Sequence, residues 1–149
     1  MGELSHVDEV SGAVQMVDVG GKPSSRRHAV ARGAVLMAVE TASRLQDLPK
    51  GNALVTAQLA GIMAAKRTSE LIPLCHQIAL SHVRVELEVK AGRVEITASA
   101  ETTAQTGVEM EALMAVAVAA LTVYDMAKAI DKEMVVTEIS LLAKTKAAP

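Results

Sequence analysis

Between residues 83 and 101 apolar and polar side chains alternate strictly, with a single interruption at Ala91-Gly92. Val83, Val85, Leu87 and Val89 fall on one side, and Arg84, Glu86, Glu88 and Lys90 on the other. Val94, Ile96, Ala98 and Ala100 then alternate with Arg93, Glu95, Thr97, Ser99 and Glu101. A period of two sends successive side chains to opposite faces of a strand, so this stretch predicts a β-hairpin with one buried and one wet face. Such a sheet needs an apolar cover on its inner side. Two segments can supply it. Residues 53–69 read as a helix, entered from the loop Pro49-Lys50-Gly51-Asn52 with Asn52 as N-cap and with Val55, Leu59 and Ile62 on one face. Pro73 closes that region. A second helix is predicted to run from a capping box at Thr106-Gly107-Val108-Glu109 to about residue 130.

The remaining pieces complete a pattern. Residues 14–19 read as a short strand, 22–25 as a loop, 28–39 as a strand, 39–48 as a short amphipathic helix and 134–142 as a final strand. Strand, helix, hairpin, helix, strand is the β-α-β-β-α-β order. The predicted fold class is therefore α+β, ferredoxin-like, with an antiparallel sheet and additional N-terminal elements, in one domain over residues 1–149. The second helix is apolar on nearly every side, which one sheet cannot cover alone. Other helices or another subunit are expected to cover the rest.

Composition narrows the function. Phe and Trp are absent and Tyr124 is the only aromatic residue, so the core must be built of Ala, Val, Leu, Ile and Met, and stacking on nucleic-acid bases is nearly ruled out. The net charge of −2 gives no global basic field to draw in nucleic acid. One cysteine, Cys75, excludes an internal disulfide framework and a multi-cysteine zinc site. No leader is visible, and the longest uncharged stretch, residues 112–124, is short of the roughly 20 residues of a spanning helix. The expectation is a cytoplasmic protein with no membrane or nucleic-acid partner. No metal-ligand spacing and no phosphate- or dinucleotide-binding loop is present.

A few polar residues stand in apolar rows. Lys66 falls within about 20° of the Val55/Leu59 stripe at ~100° per residue, either as a stem covering apolar surface or as a cation held for a purpose. Asp125 and Lys128, three apart, extend the row Met114, Val118, Leu121. They are either an ordinary local ion pair or an acid and a lysine that shift each other's pKa in an apolar setting. Glu109 is explained by capping, whereas Glu111 has no such assignment. His76 admits a structural or a catalytic role. Cys75 reads as a small buried hydrophobe.

Several of these segments together carry a resemblance. They are Met16-Val17-Asp18-Val19, the run from Ala64 through Lys66-Arg67-Thr68 to Leu74-Cys75-His76, Thr106-Gly107-Val108-Glu109-Met110-Glu111-Ala112-Leu113, and Leu121-Thr122-Val123-Tyr124-Asp125-Met126. In this order the chain resembles the molybdenum cofactor biosynthesis protein C family, the cyclic pyranopterin monophosphate synthases, from Leu4-Ser5-His6-Val7-Asp8 to Leu141-Leu142. The resemblance implies a lyase that turns 3′,8-cyclo-7,8-dihydro-GTP, made by an upstream radical SAM GTP cyclase, into cyclic pyranopterin monophosphate and pyrophosphate. It implies no cofactor and no metal, and a homohexamer, a trimer of dimers, with sites at subunit interfaces. It carries substrate contacts onto Leu74, Cys75, His76, Met110 and Glu111, with further cations at Lys66 and Arg27. It carries catalytic roles onto Asp125, Lys128, Lys50 and His76. A triphosphate requires cations to gather locally on a net-negative chain, which suits these assignments. Gln77 in place of a proline, Ala127 in place of a cysteine, and a tail lacking a glycine-rich ending depart from the family pattern.

Glu111 and Asp125 are 14 residues apart, hence ~21 Å along a straight helix. That span exceeds one small substrate, so the two are expected to reach it from different chains. A non-catalytic ligand-binding module, or a structural oligomer subunit, is the competing class. Lys66, Asp125 and Lys128 together discriminate: a binder needs the cations but has little use for a desolvated Asp–Lys pair.

Overall fold

The computed structural model describes residues 6–149; Leu4 and Ser5 of the N-terminal motif lie outside them. The elements are β1 (Ser25–Leu36), α1 (Val39–Ala42), α2 (Ala53–Lys66), α3 (Thr68–Leu71), β2 (Leu80–Lys90), β3 (Arg93–Ala104), α4 (Glu109–Ala127) and β4 (Val135–Ala147). The four strands form one sheet in the order β2-β3-β1-β4 with every neighbouring pair antiparallel. With α2 and α4 as crossovers, this is an α+β, ferredoxin-like arrangement.

The alternating segment forms the hairpin it predicts. β2 and β3 pair in register from Val83↔Ala100 to Lys90↔Arg93. The turn uses Gly92 at φ +73°, a left-handed conformation that favours glycine. Val94, Ile96, Ala98 and Ala100 are fully buried, and with Ala29, Ala31 and Val35 of β1 they floor the core.

Above this floor lies α4, with Ala112, Ala115, Val116, Ala119, Ala120 and Val123 all buried. By length and composition alone this helix could cross a membrane, but half of it is buried inside the fold between the sheet and α2. That position accounts for the apolarity of its inner side, while Leu121 on the outer side stays 58% exposed.

The face that α2 buries is not the expected one. Val55 and Leu59 are 58% and 59% exposed, while Ala53, Ala57, Gly61, Ala64 and Ala65 pack inward. Close approach decides this. A Cβ on Gly61 would stand 2.8 Å from the Ala115 carbonyl oxygen and 3.1 Å from Val85 Cγ2. The small-residue face lets two backbones come together and gain dispersion contacts that a row of larger residues would hold apart.

Other boundaries moved for local reasons. Residues 14–19 form no strand; Val14 makes only an isolated bridge to Val7. The helix predicted over 39–48 contracts to α1, followed by turns. The helix predicted over 53–69 breaks at Arg67, whose φ of −112° and ψ of 12° leave the helical region, and the buried Thr68 hydroxyl beyond the break donates to the Ala64 and Ala65 carbonyls (3.2 and 3.0 Å). Asn52 caps α2 as expected, its side chain accepting from the Leu54 and Val55 amides. Thr106 does not cap α4, whose N-cap is Val108 with no side-chain hydrogen bond. β4 continues five residues past Leu142, pairing Lys146 with Arg27 and Lys144 with Ala29 across β1.

Candidate active site

Two groups of polar residues sit at opposite ends of α4. At its start, the segment after α3 meets the first turn of the helix around a cleft of about 390 Å³. Leu74, Cys75, His76 and Met110 line it, together with His6, Ile72, Thr106, Gly107 and Glu109. Pro73 and the extended backbone at Ile72 end α3, which turns the 74–76 segment toward the helix start. The His76 ring is held from its far side, its Nε2 donating to the Val17 carbonyl at 2.6 Å.

Glu111, next to Met110 in sequence, is buried at 3% exposure, and its Oε2 has no hydrogen-bond partner among the described residues. Burial pushes its pKa up to about 7, with its own amide working against the rise and Glu109 adding to it. The carboxyl is thus substantially protonated at neutral pH and able to donate. Burial also pushes the Cys75 thiol up, with Glu111 and Glu109 adding to the rise, which disfavours the thiolate.

A second hollow of about 260 Å³ adjoins the first and shares Gly107 and Glu109 with it. Arg27, His28, Lys144 and Lys146 line it, and Lys144 Nζ lies 3.5 Å from Glu109 Oε1. Here the unforeseen length of β4 matters, because the ladder with β1 carries Lys144 and Lys146 to Arg27. The sequence reading found Arg27 but missed both lysines and His28. The signal was present in the alternation of Lys144 and Lys146 with Ala143, Thr145 and Ala147, which a longer strand assignment would have used.

At the other end of α4, Asp125 receives two lysines. Lys128 Nζ is 2.8 Å from Oδ1, and Lys50 Nζ is 2.9 Å from Oδ2 and 3.2 Å from the Asp125 carbonyl. Lys50 is presented by a tight turn in which Leu48 and Gly51 exchange backbone hydrogen bonds and Gly51 takes φ +110°. The hydrogen bonds from Lys128 and then Lys50 draw the Asp125 pKa down to about 2, and the same contact with Asp125 raises that of Lys128. Within a single chain the trio is half-exposed, at 48–55% of side-chain surface, so the expected desolvated pair is not formed by one chain. Lys66 is exposed as well. It borders a shallow hollow with Ile62, Leu80 and His82 and joins neither group. Its place near the Val55/Leu59 stripe follows from that stripe facing outward.

One α+β sheet protein therefore offers a partly apolar cleft lined by two imidazoles and Glu109, with the buried Glu111 carboxyl next to Met110 in sequence, a cationic annex beside it, and a lysine–aspartate–lysine trio at the far end of α4. That donor set fits a phosphorylated heterocycle undergoing proton transfers. The sequence model of the MoaC family matches residues 16–147. A cyclic pyranopterin monophosphate synthase from Roseiflexus sp. (strain RS-1) is 56% identical over 149 residues, covering 97% of this chain and 94% of that protein. Molybdenum cofactor biosynthesis protein 1 of Mus musculus is 55% identical over 147 residues, 96% of this chain but 23% of the mouse protein. A molybdenum cofactor biosynthesis bifunctional protein of Chlorobaculum tepidum is 53% identical, covering 96% of this chain and 46% of that protein. The chain belongs to the MoaC family.

Proposed function

We propose that this chain is a cyclic pyranopterin monophosphate synthase of molybdenum cofactor biosynthesis, a phosphorus–oxygen lyase acting on 3′,8-cyclo-7,8-dihydro-GTP in the cytoplasm. The observation that carries the reading is the 390 Å³ cleft, in which Leu74, Cys75, His76 and Met110 meet beside the buried Glu111. Its apolar side chains, Ile72, Leu74 and Met110, suit a heterocycle. The adjoining cations Arg27, Lys144 and Lys146 suit the triphosphate.

Forming the cyclic phosphate requires a substrate hydroxyl to attack the α-phosphorus while the bond to the β-phosphate breaks and pyrophosphate leaves. The hydroxyl must lose a proton, and the departing charge must be balanced. Lysines supply the second role directly, and an Asp–Lys pair can hold and move the proton. The residues best suited to this are Lys50, Asp125 and Lys128, gathered on Asp125, which lies ~21 Å along α4 from Glu111. A complete site is then built from the cleft of one subunit and the trio of another, in the hexamer proposed for the chain. Contact with a second subunit would also desolvate the half-exposed trio and strengthen its electrostatics. Val55, Leu59 and Leu121, all more than half exposed, supply apolar surface for such an assembly.

The relatives named as a bifunctional protein and as molybdenum cofactor biosynthesis protein 1 are longer than this chain, which supports a neighbouring activity in the same pathway. We assign that activity to the radical SAM cyclase that makes the substrate. The deciding experiment supplies cyclised dihydro-GTP to the purified chain and measures pyranopterin and pyrophosphate. Equimolar release of both is expected; release of neither overturns the reading.

A further inference from the structure

We propose that His6 is a further substrate-contacting side chain of this site, held in a fixed tautomer by the strap of chain that also holds His76. The proposal deepens the synthase reading and rests on it for the identity of the ligand. His6 lines the same cleft as His76, Cys75 and Met110. Its ring is oriented. Nδ1 lies 3.3 Å from the Gln15 carbonyl, and the Gln15 amide donates back to the His6 carbonyl at 3.0 Å.

Between these two residues the chain closes a small built hairpin. Asp8 Oδ1 accepts from the Val10 amide, the Ser11 amide and the Ser11 hydroxyl at 3.1, 2.7 and 2.8 Å. Val7 bridges Val14, and the Asp8 amide donates to the Ala13 carbonyl. Two residues beyond Gln15, the Val17 carbonyl accepts from His76 Nε2. The strap is tied down again where Gln105 Nε2 donates to the Gly20 carbonyl at 3.2 Å.

A carbonyl oxygen can only accept, so the ring nitrogen facing it must carry the hydrogen. His6 is thereby set as the Nδ1–H form, with Nε2 as the remaining acceptor when the ring is neutral. His76 is set as the Nε2–H form, with Nδ1 remaining. Among the described residues neither remaining nitrogen has a hydrogen-bond partner. Two imidazoles of opposite tautomer, both oriented by carbonyls of residues 15–17, thus border one cleft. Such an arrangement serves ring N–H and hydroxyl groups of a reduced purine or pterin, which donate to neutral imidazole nitrogens. The other ionisable groups bordering the cleft are Cys75 and Glu109, with Glu111 buried nearby.

The test uses the full chain in two arms. Calorimetric binding of cyclised dihydro-GTP to protein carrying Asp125→Asn, chosen to slow turnover, is compared with and without His6→Ala. An increase in Kd of about 10-fold is expected from the lost hydrogen bond. His6→Gln, whose side-chain carbonyl accepts where Nε2 did, is expected to restore most of the affinity. A purely structural role would not distinguish Gln from Ala. In the second arm, 15N chemical shifts of the His6 ring are followed as the same compound is added, with Nε2 moving from its free-acceptor position. An unchanged Kd in His6→Ala, or a His6 ring that does not respond to saturating compound, overturns the proposal. His6-dependent binding without conversion by the unsubstituted chain would instead overturn the synthase reading and leave the contact standing.

Discussion

Two carboxylates on one helix have opposite fates. Glu111, in the first turn of α4, is buried without a partner for Oε2 and is pushed up to about 7. Asp125, near the last turn, is half-exposed between two lysines and is drawn down to about 2. Sequence position does not explain the contrast, since negative charge is favoured at a helix start and disfavoured at its end. Local environment overrides the helix dipole at both ends. At the start burial leaves Glu111 Oε2 without a hydrogen-bond partner among the described residues; at the end two ammonium groups lie within hydrogen-bond distance of Asp125. One helix consequently offers a protonated carboxyl and an ionised one at the same pH, which is how acid and base duties are divided between like residues.

The comparison breaks most decisively at the charged end. Asp125→Asn keeps the shape but removes the charge and is expected to lower turnover by about 10²–10⁴-fold. Steady-state kinetics on cyclised dihydro-GTP measures it, and a rate near that of the unsubstituted chain would remove Asp125 from the chemistry.

The buried end is tested by pH. Glu111 has a folded pKa raised above its unfolded value of 4.5, so the folded chain holds the extra proton between about 4.5 and 7. Stability from this source is full below 4.5 and is lost as pH rises through 7, by roughly 1–3 kcal/mol. Glu111→Gln, neutral at every pH, is expected to flatten that decline in urea unfolding and to equal or exceed the original chain in stability at pH 8.5. Asp125 has the opposite sign: its contribution is present above 3.8 and is lost as pH falls through about 2.

A third substitution tests the packing that sets α4 in place. Gly61→Ala puts a methyl 2.8 Å from a backbone carbonyl, and overpacking of this kind costs about 1–3 kcal/mol. A shift of the urea midpoint to lower concentration is expected.

The smallest effect on folding belongs to the outer face of α2. Leu59→Glu, at a 59% exposed position, is expected to change the chain's own stability by less than about 0.5 kcal/mol. Sedimentation should nonetheless show it dissociating the assembly. An intact assembly would exclude this face from the interface and leave the trio to be covered some other way.

Some of this was readable before any coordinates. The hairpin was legible because a half-buried strand writes its geometry directly into alternation, residue by residue, from Val83 to Glu101. The Asn52 cap was legible because capping is local, needing only two amides that follow it. The inner face of α2 was not. Hydrophobicity ranks Leu59 above Gly61, but the contact with α4 is limited by backbone separation, and only the paired helix reveals that. The capping box at Thr106 failed similarly: Glu109 is in contact with Lys144 of β4, a residue 35 positions away. The candidate site divides along the same line. Leu74 to His76 and Met110 gather where expected, Lys66 does not join them, and Lys144 and Lys146 arrive through a ladder whose length was underestimated.

What the sequence determined by itself was periodicity and chemistry: the alternation of the hairpin, the order of the main strands and helices, and which residue types are present to bind phosphate or move protons. Those depend on neighbours a few positions apart. The tertiary structure alone decided which helix face turns inward, which carboxyl keeps its proton, and that the trio stands a helix length from the cleft. Each of these is set by groups far apart in the chain, through excluded volume, desolvation and Coulomb contact. None of those is defined until the backbone has closed on itself.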